Sequence, residues 1–126
     1  MSGQYCENGN KAFVNGATAI ARYTRVKLSS GVLAVAGATD KDIGVLDRRA
    51  QANDYANVRL RTAEGTDCMI ASEAITAGAT VYTAADGKIG NTATGAFQVG
   101  TALEAATADG DVIEVLRNRH GDSAAA

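Results

Sequence analysis

The sequence has no proline and no tryptophan, and its aromatic residues are four tyrosines and two phenylalanines. Ordinary usage would put about six prolines in a chain of this length. Leu, Ile, Val and Phe total only 24 of 126 residues, just under the level at which disorder is suspected when net charge is also high. Net charge is −2, so disorder of the whole chain is excluded. One domain fits this length and a second core does not. The missing bulk is replaced by 26 Ala, 14 Gly and 12 Thr, which implies a thin core of the kind a neighbouring subunit completes.

No apolar run approaches the ~20 residues of a membrane-spanning helix, and the start, Met1 to Asn8, lacks the basic and apolar regions of a signal peptide. The expectation is therefore no membrane partner and use without export. Cys6 and Cys68 fit neither a disulfide framework nor metal-ligand spacing, and reduced thiols are expected. His120 is the single histidine and lies in a polar, Ala-ended tail where nothing tunes it as a general base. No phosphate-cradling glycine motif occurs. Asp86-Gly87 and Asp109-Gly110-Asp111 lack the rest of a calcium loop and read as turns. Glu64, Glu73 and Glu104 form a carboxylate pair only by an unstated tertiary contact. The expectation is no enzyme, no cofactor, no metal site and no catalytic residue.

Charge is distributed unevenly. Residues 1–61 hold nine basic and five acidic side chains, and residues 62–126 hold three and nine, giving +4 and −6. Such a split fits an acidic partner for the first half or head-to-tail contact between subunits.

What is present is punctuation. Val26 and Leu28 alternate with Arg25 and Lys27, and Val58 and Leu60 alternate with Asn57, Arg59 and Arg61, as half-buried strands do. Residues 32–36 and 112–116 are β-branched runs that read as more deeply buried strands, and Phe97, Val99, Thr101 and Leu103 share one face of another. Ser30-Gly31, Asp86-Gly87 and Asp109-Gly110 are turn dipeptides. The pattern predicts an all-β fold, a small barrel or barrel-like sandwich of eight or nine short strands. Two segments, 39–52 and 102–108, carry partial helical spacing.

Sliding the chain by 56 residues superimposes 21–61 on 77–117 without a gap, matching Thr24 to Thr80, Gly31 to Gly87, Gly44 to Gly100, Leu60 to Leu116 and Arg61 to Arg117. Both halves then run strand, Gly turn, strand, Gly-centred strand, Ala-rich bend and terminal strand. The comparison makes the two ambiguous segments bends, and predicts two repeated halves around one core. The domain is placed at 17–117, with an extended N-terminal arm at 1–16 and a flexible tail at 118–126. Tyr5, Phe13 and Val14 are the apolar anchors of that arm.

Residues 74–82 (Ala-Ile-Thr-Ala-Gly-Ala-Thr-Val-Tyr), then Asp86-Gly87-Lys88, Val99-Gly100-Thr101-Ala102-Leu103 and residues 108–115 form an order that resembles the capsid cement, or head decoration, proteins of tailed bacteriophages. Asp42-Ile43-Gly44-Val45 followed by Val58-Arg59-Leu60 is similar to the first half of that family. The likeness runs from Ile20 to Arg117. It implies a structural virion protein that binds the outer surface of an assembled head through the phage major capsid protein, as a homo-oligomer, a trimer in preference to a dimer. It implies no catalytic residues.

Arg48, Arg49, Arg59 and Arg61 are the basic side chains expected at the interface with an acidic capsid surface or a neighbouring subunit. Two other classes stand beside this one. A β-rich tail or fibre accessory protein shares the composition. A nucleic-acid groove would use Arg22, Arg25, Arg48, Arg49, Arg59 and Arg61 with Tyr23 and Tyr55 as stacking rings, but a pI near 5.3 opposes it, and no nucleic-acid partner is expected.

Overall fold

The computed structural model describes residues 9–117. They form ten strands and one short 3-10 turn: β1 (Asn10–Val14), β2 (Arg25–Ser29), β3 (Val32–Val35), β4 (Gly44–Leu46), β5 (Tyr55–Leu60), β6 (Asp67–Ile70), β7 (Thr80–Thr83), β8 (Ile89–Gly90), β9 (Gln98–Ala102) and β10 (Val112–Arg117). The strands make two five-stranded antiparallel sheets, in the orders β1-β5-β4-β2-β3 and β6-β10-β9-β7-β8. These orders are the same when β1 to β5 are matched with β6 to β10. The repeat is therefore real, and it begins one strand earlier than residues 21 and 77, at β1 and β6.

Its register is clearest in two isolated parallel bridges, Asn15 with Leu33 and Ala71 with Ile89, which lie 56 residues apart. Elsewhere the register slips. Val26 pairs with Gly44 and Val81 with Gly100, so Val26 corresponds to Val81. Leu60 pairs with Gly44 and Arg117 with Gly100, so Arg117 corresponds to Leu60, not to Arg61. Both glycines are demanded by close approach. A Cβ on Gly44 would lie 2.2 Å from the Arg59 carbonyl oxygen, and one on Gly100 would lie 2.0 Å from that of Leu116.

Each repeat has its own core. Ile20, Val26, Leu33, Leu46, Ala50 and Val58 are buried in the first; Met69, Ile75, Val81, Ile89, Ile113 and Val115 are buried in the second. Two small cores replace the single one expected from the sequence, which is how so little bulky apolar residue suffices.

Several local expectations are corrected. Residues 10–14 are not part of an arm: β1 pairs along its whole length with β5, from Asn10 opposite Arg59 to Val14 opposite Tyr55. The polar letters of Asn10 and Lys11 hid a strand because an edge strand is half wet. Residues 32–36 and 112–116 are less buried than their apolar runs imply: β3 is an edge strand with Val35 40% exposed, and β10 turns Val112 and Leu116 outward. A register irregularity between Val81 and Tyr82 breaks the alternation along β9. Val99 and Ala102 are both buried as a result, while Thr101 and the exposed Leu103 lie on the opposite, outward face, so the expected single face of Phe97, Val99, Thr101 and Leu103 is split.

Candidate interaction surfaces

Alternation along β2, β4 and β5 places Arg25, Val45 and Arg59 directly opposite one another in one row. A strand pattern alone makes this the wet face. The second repeat lies over it instead. Arg25 is fully buried, donating from Nε to the Lys88 carbonyl at 2.9 Å and from Nη2 to the Ala84 carbonyl at 2.8 Å. Its Nη1 faces Asp42 Oδ2 at 3.3 Å, while Asp42 Oδ1 accepts from Arg117 Nη2 at 2.6 Å. Arg117 Nε is 3.8 Å from Asp67 Oδ2, and Asp67 Oδ1 accepts from Arg59 Nε. Five charges thus alternate in sign, Arg25, Asp42, Arg117, Asp67 and Arg59, along the boundary between the repeats.

Burial is the leading cause of the shifts at Arg25 and Asp67. It pulls the Arg25 guanidinium below its ordinary value against the raising effect of Asp42, and pushes the Asp67 carboxyl up against the lowering effects of Arg59 and Arg117. Buried pairs of this kind are weak net stabilisers but costly to break singly, so they fix how two layers sit more than how tightly they hold. Sequence reading missed Arg25 and Arg117 as structural residues, had Asp42 only as part of the Asp42-Ile43-Gly44-Val45 motif, and gave Asp67 no role. No local signal marked the two arginines, because Arg25 alternates with Val26 as a wet-face residue does and Arg117 closes its strand.

The four arginines expected at one interface are separated. Arg59 is committed to Asp67 and to the Glu64 carbonyl. Arg61 sits at the Ile43 end of β4, where its amide donates to the Ile43 carbonyl at 2.9 Å. With Arg117 it lines a cavity of about 20 Å³, space for one water. Arg48 and Arg49 lie beyond the other end of β4 and are exposed. That end of the sheet also carries the start of β5, where Tyr55 is 73% exposed and faces its cross-strand neighbour Val14, 36% exposed. Val14 therefore stands with Tyr55, at the end of the sheet beyond which Arg48 and Arg49 lie, whereas Phe13 packs against the first core and is no external anchor. Tyr5 lies outside the described residues.

The alternative nucleic-acid groove is not assembled. Arg25 is buried and Arg59 paired, and Tyr23 packs against the second core under the Arg22 guanidinium, 4.5 Å from its ring centre. Tyr55 begins β5 at the far end of β4 from Arg61.

A second exposed face belongs to β10. Val112, Glu114 and Leu116 point outward, with Cys68 opposite Glu114 and Thr101 opposite Leu116. Burial raises the Cys68 thiol, helped by Glu114 and Glu104, so it is a poor nucleophile. Among the described residues no group of three or more His, Cys, Asp and Glu is placed to hold a metal ion.

Two repeats packed through Val45 and set in register by buried charge, presenting fixed outer faces, define a structural β module. Residues 8–117 match the phage cement protein family, and the chain belongs to that family. It is a virion-associated phage structural protein, and this role is non-enzymatic in kind. Its fold is similar to that of the head fiber gp8.5 N base of bacteriophage phi29, with a TM-score of 0.71 at 19% identity, covering 87% of this chain and 95% of that one. No curated protein matches the chain.

Proposed function

We propose that this protein binds the outer surface of an assembled phage head and cements the capsid lattice against internal pressure, as a homo-oligomer, a trimer in preference to a dimer. The carrying observation is the family match, which spans all the described residues, so both repeats and their boundary belong to the functional unit. A ligand that binds only the assembled lattice stabilises it by mass action, and an oligomer engaging several capsid subunits makes its later contacts at high effective concentration.

The capsid-facing patch in this reading is Arg48, Arg49, Tyr55 and Val14. Tyr and Arg are the side chains that most often carry binding energy at interfaces, and two uncommitted guanidinium groups suit an acidic capsid surface. The test is co-sedimentation of purified protein with expanded heads. Decoration lost in Arg48→Glu/Arg49→Glu and in Tyr55→Ala, with folding kept, is the expected result; undiminished decoration in both sinks the patch. A second reading, an anchoring base for a fibre or tail accessory, is supported by the likeness in fold to the phi29 head fiber base. A fibre polypeptide recovered with the protein from virions would favour it.

A further inference from the structure

The repeat leaves one joint unused. Inside the chain, the β7–β8 turn of the second repeat is the plug. Its socket is the Arg25 end of the Arg25–Val45–Arg59 row, where it seats against Thr24, Arg25, Val35 and Ala36 of the first repeat, while the rest of the second repeat covers Val45. At the turn Asp86 and Gly87 have φ of 61° and 72°. The Gly87 amide donates to the Ala36 carbonyl at 2.8 Å, and a Cβ on Gly87 would fall 2.3 Å from Thr24 Cγ2. Val45, in the middle of the row, is buried in the second repeat's core.

Both parts recur one repeat along. The equivalent turn joins β2 to β3, where Ser30 and Gly31 have φ of 51° and 84°, the same double left-handed geometry. Here a Cβ on Gly31 meets nothing within 4 Å. The equivalent row is Thr80, Thr101 and Leu116, directly opposed across β7, β9 and β10. No described residue covers it. Thr80 is exposed, Leu116 is 49% exposed, and Leu103 and Val112 on the same face are each 45% exposed. Leu28, beside the free turn, is 45% exposed as well.

We propose that the Ser30–Gly31 turn of one copy seats on the Thr80–Thr101–Leu116 row of a second copy of this chain, repeating between chains the joint that holds the two repeats together. This deepens the homo-oligomer part of the proposed function. A second copy is the occupant because it alone presents a plug of the geometry that fills the matching socket within the chain. Charge agrees: the plug lies in the half with net +4 and the socket in the half with net −6, with Glu114 and Glu104 beside Leu116. The contact is head-to-tail, joining unlike patches, so it closes into a ring when the rotation per copy allows.

The experiment is light scattering at micromolar concentration on the full chain, together with cross-linking. Wild type is expected to run as an oligomer. Leu116→Asp, and independently Thr80→Lys at an already exposed site, are expected to lower the mass to that of one chain with an unchanged circular dichroism spectrum. In a Cys6→Ser/Cys68→Ser background, Ser30→Cys with Thr80→Cys is expected to join chains through a short bismaleimide, and neither cysteine alone to do so in that ladder-like fashion. A monomeric wild type overturns the proposal, as does an oligomer that survives both socket variants or gives no Ser30–Thr80 cross-link. Head decoration is read separately: mass and cross-link decide this surface whether or not heads are bound.

Discussion

Arg117 Nη2 lies 2.6 Å from Asp42 Oδ1, joining residues 75 apart in sequence across the boundary between the two repeats. Asp42 also faces Arg25, so a single carboxylate neutralises two buried guanidinium groups, one from each repeat.

Removing that carboxylate leaves two buried cations without it, whereas removing Arg117 leaves the Arg25–Asp42 pair intact. Asp42→Asn is therefore expected to cost about 3–5 kcal/mol and Arg117→Leu distinctly less. Urea unfolding of the two variants checks the order, and an equal or reversed order contradicts the shared-carboxylate account.

Truncation separates strand from terminus. Deleting residues 1–16 removes β1 and bares the edge of β5, and the product is expected to aggregate or lose its cooperative transition. Deleting residues 1–8 spares every β1–β5 pair and is expected to keep the transition. Thermal melts followed by circular dichroism read both; a well-folded 17–126 fragment would show that β1 is dispensable.

Gly44→Ala and Gly100→Ala each drive a methyl group into a carbonyl oxygen of the neighbouring strand, which is backbone and has no rotamer to escape through. Each is expected to cost about 3 kcal/mol or more, at the upper end of overpacking. Denaturant midpoints for the two should shift together, since the positions are equivalent in the repeat. A neutral result at either would mean that the strands are farther apart than stated.

The acid limb of stability has an identifiable contributor. Asp40 accepts from Lys27 Nζ and from the Gly37 amide, both at 2.8 Å, and these bonds hold its carboxyl below the ordinary value of 3.8. The folded state then binds fewer protons than the unfolded one, so the stabilisation is present above that ordinary value and lost as pH falls through the folded one. Lys27 and Asp40 are each about a third exposed, so the effect is about 0.2–1 kcal/mol. Asp40→Asn is expected to be less stable than wild type near neutrality, with the gap closing in acid. A gap that widens as pH falls would reverse the assignment.

Charge reversal distinguishes the arginines. Arg48→Glu and Arg49→Glu are expected to leave folding within about 0.5 kcal/mol, as exposed substitutions do. Arg59→Glu places a second carboxylate against Asp67 and is expected to lower the unfolding midpoint sharply. Similar midpoints for all three would show that Arg59 is not held at the repeat boundary.

Much of the architecture was legible in the order of residues. Glycine-bounded apolar stretches marked nearly every strand, and the 56-residue offset brought out the duplication. The constant 56-residue offset sets Val26 against Tyr82 and Arg61 against Arg117, because it matches letters without the hydrogen-bond ladders that fix which residue opposes which glycine. β1 escaped notice because its partner, β5, is more than 40 residues away and its own letters are half polar.

The sequence by itself determined the class of fold, the duplication and the poverty of the core, since these follow from composition, turn chemistry and period-two alternation. It also determined which side chains share a face of most strands, but not of β9, where a register irregularity breaks the alternation. What lies over a face is a long-range fact that no local period encodes. Arg25 in β2 and Leu116 in β10 both read as strand residues, yet the arginine is fully buried beneath the second repeat and the leucine stands half exposed. Only tertiary packing decided that the charged face is inside and the apolar one outside, because burying an arginine depends on bringing Asp42 and the carbonyls of Ala84 and Lys88 to it from distant parts of the chain.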